Sequence, residues 1–330
     1  MPSAREIEEG LRHPIRFAPV YQQLVWGGRR MALYRDDLPR GDIGESWEIS
    51  QQPRGISKVA EGPLAGMGLD ALMAANGRAL VGSSYDGGDF PLLIKLIDAR
   101  DRLSVQVHPD DAIAQRLGVG QRGKTECWYV VGDGGQLFQG IAPGVTREQF
   151  ERAIREDTIA DTLNSFTTKD GDFFFIPART VHAIGANTMI WEIQQSCDVT
   201  FRVSDWGRVW NGKRRELHVD QSLETIDFTE REWGPVRSGF DEEPCGGDIR
   251  RLVSCPYFTV NERRGAQVED GGDDSCSIII LIEGYARLAT SVGEIELPPM
   301  SSALVSANAG GWSLSAEGRQ NLRALVTQPG

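Results

Sequence analysis

The chain has 330 residues, 40% of them hydrophobic, with 38 glycines and a formal charge of −12 from 35 basic and 47 acidic side chains. That length has room for roughly two domains, each able to bury a core. The acidic balance repels nucleic acid and anionic membranes, so neither is an expected partner. No apolar run reaches the ~20 residues of a bilayer span, and the opening MPSAREIEEGLRHP lacks the apolar stretch of a secretory signal. Cys127, Cys197, Cys245, Cys255 and Cys276 show no CxxC spacing, which fits a reducing cytoplasm better than a disulfide framework.

Residues 1–14 read as a polar lead-in. A helix is expected near Leu69–Ala75, stopping at Gly77. Pro91–Ile97 (PLLIKLI) has the length and apolarity of a buried strand, and Leu103–His108 alternates as a strand does. Next comes a short helix: Pro109 and the acids Asp110 and Asp111 suit its first turn, and Gly118 closes it. Glu126–Val131 is a strand before the turn Gly132–Gly135. Thr146–Asp157 reads as a capped amphipathic helix with Phe150 and Ile154 on one face, and a second short helix is expected over Ile159–Asn164. Strands follow at Phe173–Pro177, Val181–Ile184, Met189–Gln194 and Val199–Val203. Residues 206–240 are charged and turn-rich, as in a linker or crossing segment. Strands return at Ile278–Ile282, Ala286–Thr290 and Ala303–Ser306. Short strands with Gly-rich turns in both halves predict an all-β chain with a helical insertion, arranged as two β-barrels or jelly rolls.

Histidine is scarce: His13, His108, His182 and His218 are all there are. Gln106 and His108 lie two apart on one strand and so share a face. Glu126 opens the next strand, and His182 ends a segment that runs from Gly171 through Pro177. Two imidazoles, a carboxylate and an amide oxygen make a mixed N/O donor set suited to Zn²⁺ and acceptable to Mn²⁺, Fe²⁺ or Co²⁺. His218 reads as structural and His13 as solvent-exposed.

The spacing of these groups resembles the cupin superfamily, with Arg179 where its second motif commonly has Gly and Gln106 where its first commonly has His. The chain also carries Trp26-Gly27-Gly28, Gly44 to Ser50, Pro91 to Lys95, Ser104 to Asp111, Gly123 to Tyr129, Ile176 to Ala183 and Glu192 to Arg202. In this order, over about residues 15–225, they resemble type I mannose-6-phosphate isomerase in its short bacterial form. The resemblance implies two cupin barrels, the second degenerate: a catalytic domain over 15–235 and a C-terminal cupin-like domain over 236–330. It implies an isomerase that interconverts mannose 6-phosphate and fructose 6-phosphate through an enediol, with one Zn²⁺ per chain held by His108, Glu126 and His182, and Gln106 as an extra ligand.

By the same resemblance Arg202 is the active-site arginine, and Ser104 and Lys124 line the substrate pocket. The catalytic base stays open between Glu192, Lys124 and a metal-bound hydroxide. Against these stand plainer roles: Glu192 orienting Arg202 by a salt bridge, Lys124 gripping phosphate, and Arg202 paired with Asp205. Trp26 and Trp47 form either an apolar wall for the sugar or simple core. Glu45 and Glu48 are expected to bond loops rather than metal, and Lys213, Arg214 and Arg215 to be a solvated run rather than a phosphate grip. A metal-cupin dioxygenase and a non-catalytic sugar-phosphate-binding cupin are the competing readings. No Gly-rich nucleotide loop is present. A cytoplasmic monomer or weak homo-oligomer acting on a small sugar phosphate is expected.

Overall fold

The computed structural model describes residues 2–210, 212–243, 247–272, 274–318 and 321–330; Cys245 lies outside them. The chain divides into two compact units. One takes Tyr21–Ser46 and Ile94–Val236; the other takes the chain up to Val20, Trp47–Leu93 and Arg237–Gly330.

The first of these is built on two antiparallel sheets. A six-stranded sheet runs in the order Phe173–Ile176, Glu126–Val130, Thr188–Gln195, Leu92–Ala99, Val20–Gly28, Ile43–Ile49. A five-stranded sheet runs Phe201–Ser204, Val105–Val107, His182–Ile184, Gln136–Ile141, Leu163–Thr167. Side chains alternate across each strand, so each sheet has two faces to dispose of. The facing sides close on one apolar cluster, including Trp26, Ile97, Trp128, Leu137, Phe174, Ile184 and Ile190. The outer side of the five-stranded sheet (Val105, Val107, Phe138, Val181, Phe201 and Val203) is covered by Phe150, Ile159 and Ile226. Phe150 comes from the helix Arg147–Glu156, whose start is fixed by a capping box between Thr146 and Gln149. That helix is the expected insertion. Strands buried on both faces explain why Leu92–Ala99 is wholly buried and reads as an apolar run interrupted by Lys95 and Asp98.

The second unit also pairs two antiparallel sheets, of six and four strands, between Asp241 and Pro329. Their core includes Ile279, Leu281, Leu288, Ala303, Leu314 and Val326. Residues 1–14 differ here from a polar lead-in. Ala4–Gly10 is a helix with a Ser3–Glu6 capping box, and it buries Ile7. Leu11 and Ile15 are buried after it, and Ile15 exchanges two backbone hydrogen bonds of 2.8 Å with Leu304. Three apolar residues spaced four apart along a polar segment dock it on this unit.

Gly77 does not stop its helix, which runs Leu69–Val81 with a kink at Asn76. Asn76 Oδ1 accepts from the Ala79 amide at 3.1 Å and so re-caps the following turn. A Cβ on Gly77 would meet the Tyr85 ring at 2.6 Å, so this glycine answers a close approach rather than a helix end. The segment expected as a helix from Ile159 is a single 3-10 turn, Ile159–Thr162, which leads into the strand Leu163–Thr167. Residues 206–240 contain the helix Val219–Thr225 and a two-residue hairpin, Val209–Trp210 with Lys213–Arg214. No helix among the described residues is long and apolar enough to cross a membrane.

Candidate metal centre

Cross-strand register brings the expected residues into rows. In the five-stranded sheet His182 faces Gln139 on one side and Gln106 on the other, and Gln106 faces Arg202. Directly opposed residues present side chains to one face. In the six-stranded sheet Glu126 faces Ile176 and Gln194, while Trp128 faces Glu192. The two polar rows sit beside the apolar cluster that the same inner faces share.

His182 follows a bend centred on Arg179, whose φ of +72° is the left-handed conformation that favours glycine. Tertiary bonds hold it there. The Arg179 amide donates to the His108 carbonyl at 2.7 Å, its carbonyl accepts from Asp227 at 3.0 Å, and its Nε donates to the Thr225 carbonyl at 3.1 Å. The same bend therefore ties His182 to the backbone of His108.

His108 and His182 are fully buried. His108 Nδ1 lies 2.8 Å from the Val199 carbonyl, and His182 Nδ1 lies 2.8 Å from the Thr180 carbonyl. A carbonyl only accepts, so both Nδ1 atoms carry the proton and both Nε2 atoms present a lone pair, that of His108 without a hydrogen-bond partner and that of His182 facing the Gln106 amide nitrogen. Burial pushes the pKa of His108 well below the usual range and that of His182 down to about 4, so both rings are neutral. Their Nε2 atoms point at one carboxylate: His182 is 3.3 Å from Glu126 Oε1 and His108 is 3.7 Å from Oε2. Ligands bonded at ~2.0–2.1 Å around a tetrahedral ion stand roughly 3.3 Å apart, so this spacing suits a divalent ion of the zinc type. His108 Nε2 and Glu126 Oε1 are buried with no hydrogen-bond partner, which is costly unless a cation completes them. Among the described residues this is the group of His, Cys, Asp and Glu whose ligand atoms gather within 4.8 Å. The donor set fits a divalent metal. Gln106 stands next to it, its amide nitrogen 3.2 Å from His182 Nε2 and its oxygen 3.5 Å from the Ser104 hydroxyl.

A buried charge chain adjoins the cluster. Lys124 Nζ is 2.8 Å from Glu126 Oε2 and 3.8 Å from Glu192 Oε1, and Lys95 Nζ is 3.0 Å from that same Oε1. The Trp128 indole N–H donates to Glu192 Oε2 at 3.1 Å, and the Trp128 ring packs edge-on to the His182 imidazole. Burial raises the Glu126 pKa to about 7 against the pull of Lys124, while Glu192 is held low because Lys124 and Lys95 outweigh its burial. Burial opposes the charge on Lys124 too, yet Glu126 and Glu192 hold its pKa above the usual lysine range.

Neither of the two plainer pairings of Arg202, with Glu192 or with Asp205, is found among the described residues. Glu192 pairs with Lys95 and Lys124, whereas Arg202 donates from Nη1 to the Glu216 carbonyl at 2.8 Å. Asp205 is bound by both arms of Arg215 instead of by Arg202. Arg202 is half-buried, and its pKa is lowered by that burial and by neighbouring Arg215. Trp26 is 3% exposed inside the apolar cluster, so its ring packs core instead of walling an open pocket. Trp47 is likewise buried, with the Arg54 guanidinium 5.5 Å over its ring. His218 is structural: its Nδ1 accepts from the Arg202 amide at 3.2 Å ahead of the helix Val219–Thr225. His13 is half-buried. Lys213 and Arg214 are exposed.

Sequence reasoning passed over Lys95, Trp128 and Gln194 as site residues. Lys95 left a signal, since a lone lysine inside PLLIKLI must find an anion once the strand is buried.

Comparison with known proteins supplies the family. The family description "Phosphomannose isomerase type I, catalytic domain" matches residues 15–124. A probable mannose-6-phosphate isomerase of Bacillus subtilis is 38% identical over 254 residues, 76% of this chain and 79% of that protein. A mannose-6-phosphate isomerase of Streptococcus mutans is 37% identical over 259 residues, 76% of this chain and 78% of that protein. The crystal structure of the mannose 6-phosphate isomerase from Bacillus subtilis superposes with a TM-score of 0.86 at 28% identity, covering 96% of this chain and 99% of that one. With this kinship and the histidine–glutamate cluster above, the chain belongs to the type I mannose-6-phosphate isomerase family.

Proposed function

We propose that this protein is a metal-dependent aldose–ketose isomerase that interconverts mannose 6-phosphate and fructose 6-phosphate through an enediol. The observation that carries the reading is the convergence of two neutral imidazole lone pairs and a buried carboxylate at metal-ligand spacing. His108, Glu126 and His182 would hold the ion, with Gln106 as a fourth ligand through its amide oxygen. Zinc is the metal proposed, one per chain, and its contribution when bound is Lewis-acid polarisation of the sugar oxygens.

The reaction moves a proton between two adjacent carbons, one of them a carbonyl carbon. Arg202, in the row of Gln106 and His182, adds fixed positive charge beside the developing oxyanion, an effect strongest where water is excluded. Glu192, whose carboxylate lies between the Lys95 and Lys124 ammonium groups, and Lys124, beside Glu126, are the side chains proposed to move the proton. Ser104, buried two residues before Gln106, offers a hydroxyl to the substrate.

The unit holding Arg237–Gly330 is read as a second, degenerate cupin-like barrel, on the strength of its paired antiparallel sheets. The setting proposed is the cytoplasm, as a monomer or weak homo-oligomer. The test is a coupled isomerase assay with metal analysis on the same sample. Chelation abolishes turnover and Zn²⁺ restores it; undiminished turnover after verified metal loss removes the metal role. Sugar-phosphate binding without turnover in the metal-replete protein removes the enzyme reading.

A further inference from the structure

We infer that Gln194 is a positioning residue for the metal centre, holding the turn that orients His108. The inference rests on the metal reading above. Gln194 is fully buried and lies directly opposite Glu126 in register. Its amide nitrogen donates to two carbonyls, of Gln195 at 2.9 Å and of Cys197 at 2.6 Å. Those carbonyls belong to the turn over 195–199. The Cys197 amide closes it on the Gln195 carbonyl at 2.7 Å, and the Val199 amide meets Cys197 Sγ at 3.4 Å. The Val199 carbonyl then accepts from His108 Nδ1–H at 2.8 Å. One side chain thus clamps the segment that selects the His108 tautomer and aims its Nε2 at Glu126.

The foot of the turn is fixed from the other side. The Gln195 amide donates to the Thr125 carbonyl at 3.1 Å, and Gln195 Oε1 accepts from the Thr125 amide at 2.8 Å. The turn is therefore anchored beside Glu126 at one end and against His108 at the other, with Gln194 spanning the middle.

The residue type fits this role and no plainer one. Burying an amide costs about 1–3 kcal/mol unless it is hydrogen-bonded, so packing alone would favour a hydrocarbon here. Gln194 Oε1 has no hydrogen-bond partner, so the two donors are what the position uses. A glutamate would offer the two carbonyls no donor and would set a second carboxylate opposite Glu126. Partners behind a metal-ligating histidine fix its ring and tautomer, and removing them typically lowers metal affinity by about 10–100-fold.

The experiment compares full-length wild type, Gln194→Met and His182→Ala, each stripped of metal and titrated with Zn²⁺ against a chromophoric chelator. Gln194→Met is expected to bind Zn²⁺ about 10–100-fold more weakly, and His182→Ala more weakly still. A folded Gln194→Met with wild-type Zn²⁺ affinity overturns the inference alone. A wild type that takes up no Zn²⁺ overturns the metal reading, and the inference with it. Should Gln194→Met fail to fold, amide hydrogen exchange on the wild type decides. Zn²⁺ is expected to slow exchange at Cys197 and Val199 more than in the strand Leu163–Thr167, and equal slowing in both overturns the coupling.

Discussion

Arg202 faces Gln106 directly across neighbouring antiparallel strands, and the Gln106 amide in turn reaches 3.2 Å from His182. The guanidinium is held from behind by the Glu216 carbonyl rather than by a carboxylate. Its charge is therefore not neutralised by a direct ion pair with Asp205 or Glu192. Arg202→Ala is expected to keep its zinc and lose about 10²–10³-fold in kcat, the scale of one lost oxyanion partner. Steady-state kinetics with metal analysis checks this. Zinc loss equal to that of His182→Ala assigns Arg202 to the framework instead.

Gln106 is the weakest member of the proposed ligand set, because its amide nitrogen, not its oxygen, faces His182. Gln106→Ala should release zinc at lower chelator concentration than wild type but at higher concentration than His182→Ala. Dialysis against graded chelator, read by metal content, orders the three proteins. Identical release from Gln106→Ala and wild type excludes Gln106 as a ligand.

Trp128→Phe keeps the ring against His182 and removes one N–H from Glu192 Oε2. A lost hydrogen bond to a buried charge costs about 1.5–3 kcal/mol. The variant is expected to retain zinc, unfold at lower urea, and lose about tenfold in kcat with little change in KM. A change confined to KM would place the Trp128–Glu192 contact outside the chemistry.

Lys95 and Glu192 form a buried pair at 3.0 Å, each side chain almost completely covered. Lys95→Met leaves Glu192 with the Trp128 N–H and the more distant Lys124 ammonium, and should destabilise the zinc-loaded protein by up to about 3–5 kcal/mol, the scale of a broken buried pair. Adding Glu192→Gln to Lys95→Met should recover part of that loss, because the stranded charge goes with it. Urea denaturation of the two single variants and the double variant measures the coupling; additive losses would show that the pair does not act together.

Gly77→Ala tests the helix argument. Helix propensity alone favours alanine by about 0.8–1.0 kcal/mol, yet its Cβ would press on the Tyr85 ring. The melting temperature is expected to fall, by overpacking worth about 1–3 kcal/mol, and Tyr85→Ala should relieve part of the fall. A stabilised Gly77→Ala would mean that the ring gives way freely.

Much of this molecule is legible in one dimension. His108, Glu126 and His182 stand out because few histidines compete with them and because motif spacing survives in a single sequence. The strands carrying them show in their apolar runs, since a strand buried on both faces has little room for polar residues. What stayed hidden depends on register and on distant partners. That Lys95 meets Glu192, 97 residues later, is set by which strands lie side by side, and periodicity within a strand says nothing of that. The pairing of Asp205 with Arg215 rather than Arg202 turns on side-chain direction at a bulged strand end. Docking of Ala4–Gly10 by Ile7, Leu11 and Ile15 needs a surface formed only when the second unit folds. Residue chemistry and spacing therefore determined which groups can bind a metal. Only the tertiary structure decided their tautomers, their partners and which turns hold them, because buried polar groups take their states from neighbours far along the chain.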